Sequence, residues 1–331
     1  MARIVLGLGA SHTPLLTLDS EQWVHRAQAD YANKRLNLSD GRWLSYDELL
    51  AEVGPKYAEI VTADELVRKA HICEASLDQL ADELEAANPD VVVIVGDDQA
   101  ELFGPANQPA FAVFHGREIV TMDKYGVKEA PEWVRTMGEG YLMDEVHRVP
   151  AASDLGLHLV GQLVDGGVDV TSVASVEKPS DAGFGHAFGF IIQRLFRGKS
   201  IPVLPVLLNT YYPPNVPTAA RCHDIGRAVE QALARHPDDL RVAIIASGGL
   251  SHFVVDEELD RCVISALKSG DHTALRSIGR GALNSGSSEI LNWVLTAGAV
   301  EKLSLAWVEY QPLYRTPAGT GVGAAFAVWR E

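Results

Sequence analysis

Short, nearly unbroken runs of Val, Ile and Leu recur along the chain at residues 4–8, 91–95, 168–173, 201–208 and 242–245. Apolar residues at successive positions over so few residues fit strands covered on both faces. Between the runs, apolar positions repeat at three and four, predicting helices over Ala63–Ala87, 155–164, Ala219–Ala234 and 290–297. Asn88-Pro89 stops the first of these just before the strand that opens at Val91. Alternation of this kind predicts an α/β fold with a central mixed sheet flanked by helices. With no Ser/Gly-rich linker and no internal repeat, the 331 residues read as one domain.

Residues 18–58 break the rhythm, with Trp23, Tyr31, Trp43 and Tyr46 spread among many charges. Ser45 followed by Glu48 is a capping-box signature, so the segment reads as a helical insertion after the first strand. Two roles suit it: a surface elaboration, or a lid whose aromatic side chains cover a pocket.

Composition narrows the possibilities. Hydrophobic residues at 47% and charged residues at 22% are ordinary for a globular protein. The 44 acidic and 28 basic residues leave a formal charge of −16, which argues against nucleic acid or an anionic membrane as partner. Cys73, Cys222 and Cys262 form no CxxC pair, so neither a cysteine zinc site nor a disulfide framework is expected. The apolar start is short and meets His12 within a dozen residues, so it reads as a strand rather than a signal peptide. No long apolar run suggests a membrane helix, and a cytoplasmic location is expected.

The glycine patterns exclude several chemistries. Gly7-Leu8-Gly9-Ala10-Ser11-His12 lacks the third glycine of a dinucleotide loop, and neither a phosphate loop nor a nucleophile elbow occurs. The histidines carry more. His25, His147, His158, His236 and His272 sit among charged neighbours and read as solvated. His12 and His252 each follow a predicted strand, and His186 lies in a Gly-rich turn opening an apolar helix. Strand ends are where polar side chains converge on a ligand in an open α/β sheet. Glu289 opens a helix in Ser288-Glu289-Ile290, a position that ordinary dipole chemistry also explains. Neutral imidazole or amide donors with one carboxylate and open positions make the arrangement non-haem Fe(II) uses for O2 chemistry.

Several segments together resemble the class III extradiol ring-cleaving dioxygenases. They are Gly9-Ala10-Ser11-His12-Thr13-Pro14, the strand and turn through Gly96-Asp97-Asp98-Gln99, Asn209-Thr210-Tyr211-Tyr212-Pro213-Pro214, Ser247-Gly248-Gly249-Leu250-Ser251-His252, and Ser288-Glu289-Ile290-Leu291-Asn292-Trp293. They stand in the family's order and span the chain apart from the insertion and residues 104–150. The Gly-Asp-Asp-Gln turn, Gly185-His186-Ala187-Phe188-Gly189-Phe190 and Tyr314-Arg315-Thr316-Pro317 are most similar to the 3-O-methylgallate dioxygenase branch.

The resemblance implies an Fe(II) enzyme that binds an aromatic diol and O2 and opens the ring beside the diol. It places the iron-binding residues at His12 and Glu289 and the acid–base residue at His252. Gln99 stands where the family has its second iron-binding His. Either its amide oxygen binds the metal, or His186 moves in, or metal binding is weakened. His186 could also replace a further active-site His that this chain lacks at Asp181-Ala182-Gly183. Asn209, Tyr212 and Arg315 are the expected substrate contacts, with Arg221 a further cation near a motif. The expected substrate is of the gallate, 3-O-methylgallate or protocatechuate type, and a homodimer is the simplest assembly. The alternative is a binding or scaffold protein on the same fold, which the departure at Gln99 keeps open.

Overall fold

The computed structural model describes residues 1–127, 129–178 and 181–331. Its centre is a nine-stranded mixed sheet. Strand Arg3–Ala10 lies parallel to Arg241–Ser247, which lies parallel to Val91–Asp97, which lies parallel to Val203–Leu208. Phe111–Phe114 then runs antiparallel to Val203–Leu208, with Thr171–Val173 beyond it. On the other side, Thr320–Arg330 runs antiparallel to Arg3–Ala10 and also pairs with His252–Val254 and Ser304–Tyr314.

The continuous apolar runs have the predicted cause. Val91, Val93 and Val95 pack into the core on one face, while Val92 and Ile94 pack into the core on the other. Helices Ser153–Asp165, Ala219–Ala234 and Ile290–Ala299 contribute to the first core, and Ala63–Ala87 and His186–Leu195 to the second. Two helices start and stop where the periodicity put them, Ala63–Ala87 and Ala219–Ala234. Helix Ile290–Ala299 is buried at every position. It can sit so deep because it meets Ala219–Ala234 through glycines: a Cβ on Gly226 would fall 1.9 Å from the Leu295 carbonyl oxygen, and one on Gly298 would fall 2.3 Å from that of His223.

Residues 18–58 are not wholly helical. Helices Trp23–Tyr31 and Tyr46–Val53 flank a two-stranded ribbon, Leu36–Asn37 with Trp43–Leu44. The Ser45–Glu48 capping box forms as the sequence suggests. The aromatic lid does not: Trp23 is buried in the main core on the sheet's second face, Tyr46 in a small cluster with Leu36, Leu38 and Leu49, and Tyr31 and Trp43 face solvent. One of the histidines read as solvated, His236, is buried, with its ring edge-on to His158. Among the described residues, no helix is long and apolar enough to cross a membrane.

Candidate metal and active site

Four parallel strands deliver the site at their common carboxyl edge. Arg3–Ala10 runs on to His12, Val91–Asp97 to Gln99, Val203–Leu208 to Tyr211, and Arg241–Ser247 to Gly249 and His252. Glu289 ends a short turn at the N-terminus of Ile290–Ala299, where a helix favours negative charge. His186 opens His186–Leu195. His12, Asp97, His186 and Glu289 each place a ligand atom within 4.8 Å of the others. His12, Asp97 and Glu289 are at most 3% exposed.

The hydrogen bonds fix the tautomer of His12. The Ser247 hydroxyl donates to the Ala187 carbonyl at 2.6 Å, so it accepts from His12 Nδ1 at 2.9 Å. The Nε2 of His12 is therefore a lone pair in the neutral ring. That atom is buried with no hydrogen-bond partner, 3.3 Å from Glu289 Oε2. Two acceptors face each other in a dry site, and a cation between them resolves the conflict. Their separation suits two ligands of one first-row ion with bonds of about 2.0–2.2 Å. A mixed nitrogen–oxygen donor set is the chemistry such ions take, so these residues fit a divalent metal.

Burial alone would raise the Glu289 pKa, but the contact with His252 holds it well below the usual carboxylate range. The Gly249 backbone N–H also donates to Oε2 at 2.8 Å, and the Tyr211 hydroxyl to Oε1 at 3.1 Å. Asp97 is shifted the other way, up, by burial and by Glu289. For His252, burial opposes the charged ring, yet Glu289 outweighs it and raises the pKa. His252 Nδ1 donates to the Leu250 carbonyl at 3.0 Å, leaving Nε2 to face Glu289 Oε1 at 3.0 Å. A Cβ on Gly286 would fall 2.1 Å from the His252 ring, so glycine there makes room for it.

Gln99 lies amid these groups. Its amide nitrogen stands 3.1 Å from Asp97 Oδ2, 3.2 Å from His186 Nε2 and 3.4 Å from Glu289 Oε1. Turning the amide over would put its oxygen in the same place. His186 is tied elsewhere: its Nδ1 lies 2.9 Å from Glu101. Burial opposes its charge, but Glu101 prevails and lifts its pKa to about 9. Glu101 is correspondingly drawn down to about 2, against the effect of burial, by His186 and Lys124.

A cavity of about 160 Å³ opens beside this cluster. Cavities of about 150 Å³ hold a benzene ring, so the space suits a single aromatic ring. Besides the cluster, its walls include Arg26, Lys124, Tyr125, Tyr141, Phe253 and Arg315. Of the expected substrate contacts, only Arg315 reaches it, and Asp30 already grips that guanidinium at 2.6 and 3.1 Å. Asn209 and Tyr212 are not on the wall. The Asn209 side chain bonds the backbone of Tyr212 and Asn215, bracing its own turn, and Tyr212 points outward at 36% exposure. Tyr211 takes the inward place; successive side chains in an extended turn diverge, and the pair Tyr211-Tyr212 gave no sign of which faced in. Arg221 is exposed on its helix, outside the cavity lining. Asp97, Glu101 and Arg26 were not singled out. The two carboxylates that follow a fully apolar strand, Asp97 and Asp98, were the available signal for the first.

Fold and donor set together define an α/β protein with a buried nitrogen–oxygen cluster at the carboxyl edge of its sheet. The chain belongs to the family of the catalytic LigB subunit of aromatic ring-opening dioxygenase, whose profile matches residues 57–326. It is 27% identical over 158 residues to gallate dioxygenase of Pseudomonas putida, covering 44% of each chain. It is 26% identical over 164 residues to 2,3-dihydroxyphenylpropionate/2,3-dihydroxicinnamic acid 1,2-dioxygenase of Comamonas testosteroni, covering 50% of this chain and 43% of that one. The chain thus aligns with less than half the length of either relative.

Proposed function

We propose that this protein is an Fe(II)-dependent extradiol dioxygenase that opens the ring of a catechol of the gallate, 3-O-methylgallate or protocatechuate type with O2. The facing lone pairs of His12 Nε2 and Glu289 Oε2 carry this reading, supported by family membership and a cavity of one-ring size. His12 and Glu289 hold the ion, and Gln99 completes the set through its amide oxygen. His186 is the competing third ligand: its Nδ1 is anchored on Glu101 at 2.9 Å, an arrangement that leaves Nε2 to a metal. Fe(II) in this place supplies coordination positions for the diol and O2 and a route for electrons between them.

The protein's own groups handle protons and position. His252 Nε2 accepts a proton from a substrate hydroxyl and returns it later, with Nδ1 anchored on the Leu250 carbonyl so the ring keeps one orientation. The buried Tyr211 hydroxyl steadies Glu289, and Tyr141, whose hydroxyl donates to the His12 carbonyl at 2.7 Å, packs edge-on against His186. Pro14, Phe253 and Val322 supply apolar wall for the ring.

A second reading, ligand binding without turnover, rests on Gln99, an amide being a weaker donor than imidazole for this ion. Iron content of anaerobically purified protein, with oxygen uptake on gallate, 3-O-methylgallate, protocatechuate and catechol, decides between them. Stoichiometric iron and uptake are expected; no uptake on any diol would favour the second reading. Gln99→Ala should weaken iron retention and Gln99→His should keep or tighten it. If iron content falls in His186→Ala but not in Gln99→Ala, His186 is the third ligand.

A further inference from the structure

The cations on the cavity wall are not equivalent. Arg315 is neutralised: Asp30 binds it through two hydrogen bonds, and Thr320 donates to the same carboxylate at 2.8 Å. Lys124 lies 3.5 Å from Glu101 and is partly in solvent. Arg26 has neither arrangement. Its Nε is buried with no hydrogen-bond partner, and among the described residues no ion pair engages its guanidinium. Burial first, and then the charge of Arg315, work against its cationic form, with Asp30 compensating only in part. A half-buried guanidinium whose buried Nε has no acceptor, on a cavity wall, lacks an anion.

The residue is held there by structure rather than chance. Trp23 on the same helix is buried and its indole N–H donates to the Leu15 carbonyl at 2.8 Å. His25 stacks on Trp133, with ring centroids 5.9 Å apart, tying the helix to Glu132–Gly140. Helix Trp23–Tyr31 also precedes residues 57–326, the stretch that matches the family. Its contribution to the cavity therefore comes from outside that match.

We propose that Arg26 is the residue that selects an anionic substrate, pairing with a carboxylate on the aromatic ring. Resting on the ring-cleavage reading for the pocket's purpose, this adds that the insertion sets the preference. A carboxylate suits the planar fork of a guanidinium, and the cluster of Glu289, Asp97 and Glu101 leaves the Arg26 side as the place for negative charge.

Anaerobic calorimetry of the iron-loaded protein tests it apart from turnover, comparing protocatechuate with the neutral 4-methylcatechol. Wild type should prefer protocatechuate. Arg26→Gln should weaken protocatechuate binding about 10- to 100-fold, the range for losing a charge-assisted pair, and leave 4-methylcatechol within about twofold. Arg26→Lys should recover part of the loss. If the enzyme turns over, the effect should lie in KM rather than kcat. Equal weakening of both ligands, no weakening of either, or a wild type without preference for the acid would overturn the proposal. Absence of oxygen uptake with selective binding intact would instead defeat the ring-cleavage reading alone.

Discussion

The two walls of the cavity are built on opposite principles. One, made by His12, Gln99, His252 and Glu289 with Asp97 behind them, is anionic and dense with hydrogen bonds, and comes from strand ends and one buried helix. The other carries Arg26, Arg315 and Lys124, is cationic, and draws on the insertion. The first wall has two acceptors facing each other, His12 Nε2 and Glu289 Oε2; the second has one donor, Arg26 Nε, with no acceptor. On the readings proposed above, a metal ion would satisfy the first and an anionic substrate the second, so reaction and selectivity could change independently.

The strongest way to break that comparison is to empty the first wall. His12→Ala or Glu289→Ala should abolish iron retention and oxygen uptake, read by metal analysis and an oxygen electrode. A folded His12→Ala protein with full iron would remove the metal from this wall altogether. Removing the proposed base should be milder. His252→Ala should keep its iron and bind catechols while losing roughly 10²–10⁴ in rate.

On the second wall, stability separates the paired arginine from the unpaired one. Asp30→Ala leaves buried Arg315 without its partner and should cost about 3–5 kcal/mol in urea unfolding. Arg26→Gln should cost nothing or stabilise, since burial already disfavours that charge. Equal losses from both substitutions would make Arg26 a structural residue.

The smallest effect concerns the support behind His252. Asp260 accepts from the Ser251 backbone and hydroxyl and from Tyr310, and burial lifts its pKa to about 6. The unfolded value lies near 3.9, so the folded chain binds this proton more tightly. Its support for the fold is complete below about pH 4 and is lost as pH rises to about 6. Unfolding free energies of wild type and Asp260→Asn, compared from pH 4 to 7, should shift against wild type by about 2–3 kcal/mol. A gap that stays constant across that range would place the Asp260 pKa near its ordinary value.

The first wall was more legible in the sequence than the second. A strand covered on both faces is written as a continuous apolar run, and the polar residue just after it lies at the carboxyl edge. His12 and His252 could be singled out in that way, whereas Gln99 came only with the family resemblance. Arg26 could not, because it sits on a helix whose packing partners, Leu15 and Trp133, are distant in pattern and carry no motif. The terminal hairpin, Ser304–Tyr314 with Thr320–Arg330, was also missed as strand. Its second strand is rich in Gly and Ala, so burial there depends on neighbours rather than on strong β-formers.

Sheet order also sets when the site can exist during synthesis. Strand Arg241–Ser247 lies between Arg3–Ala10 and Val91–Asp97, although it is made after both. Until it slots in, His12 and Asp97 hang from strands with no common neighbour, and the seat for Glu289 does not yet exist. A nascent chain therefore presents scattered donors instead of a pocket. Any metal the cluster takes would then be loaded only once the polypeptide is finished.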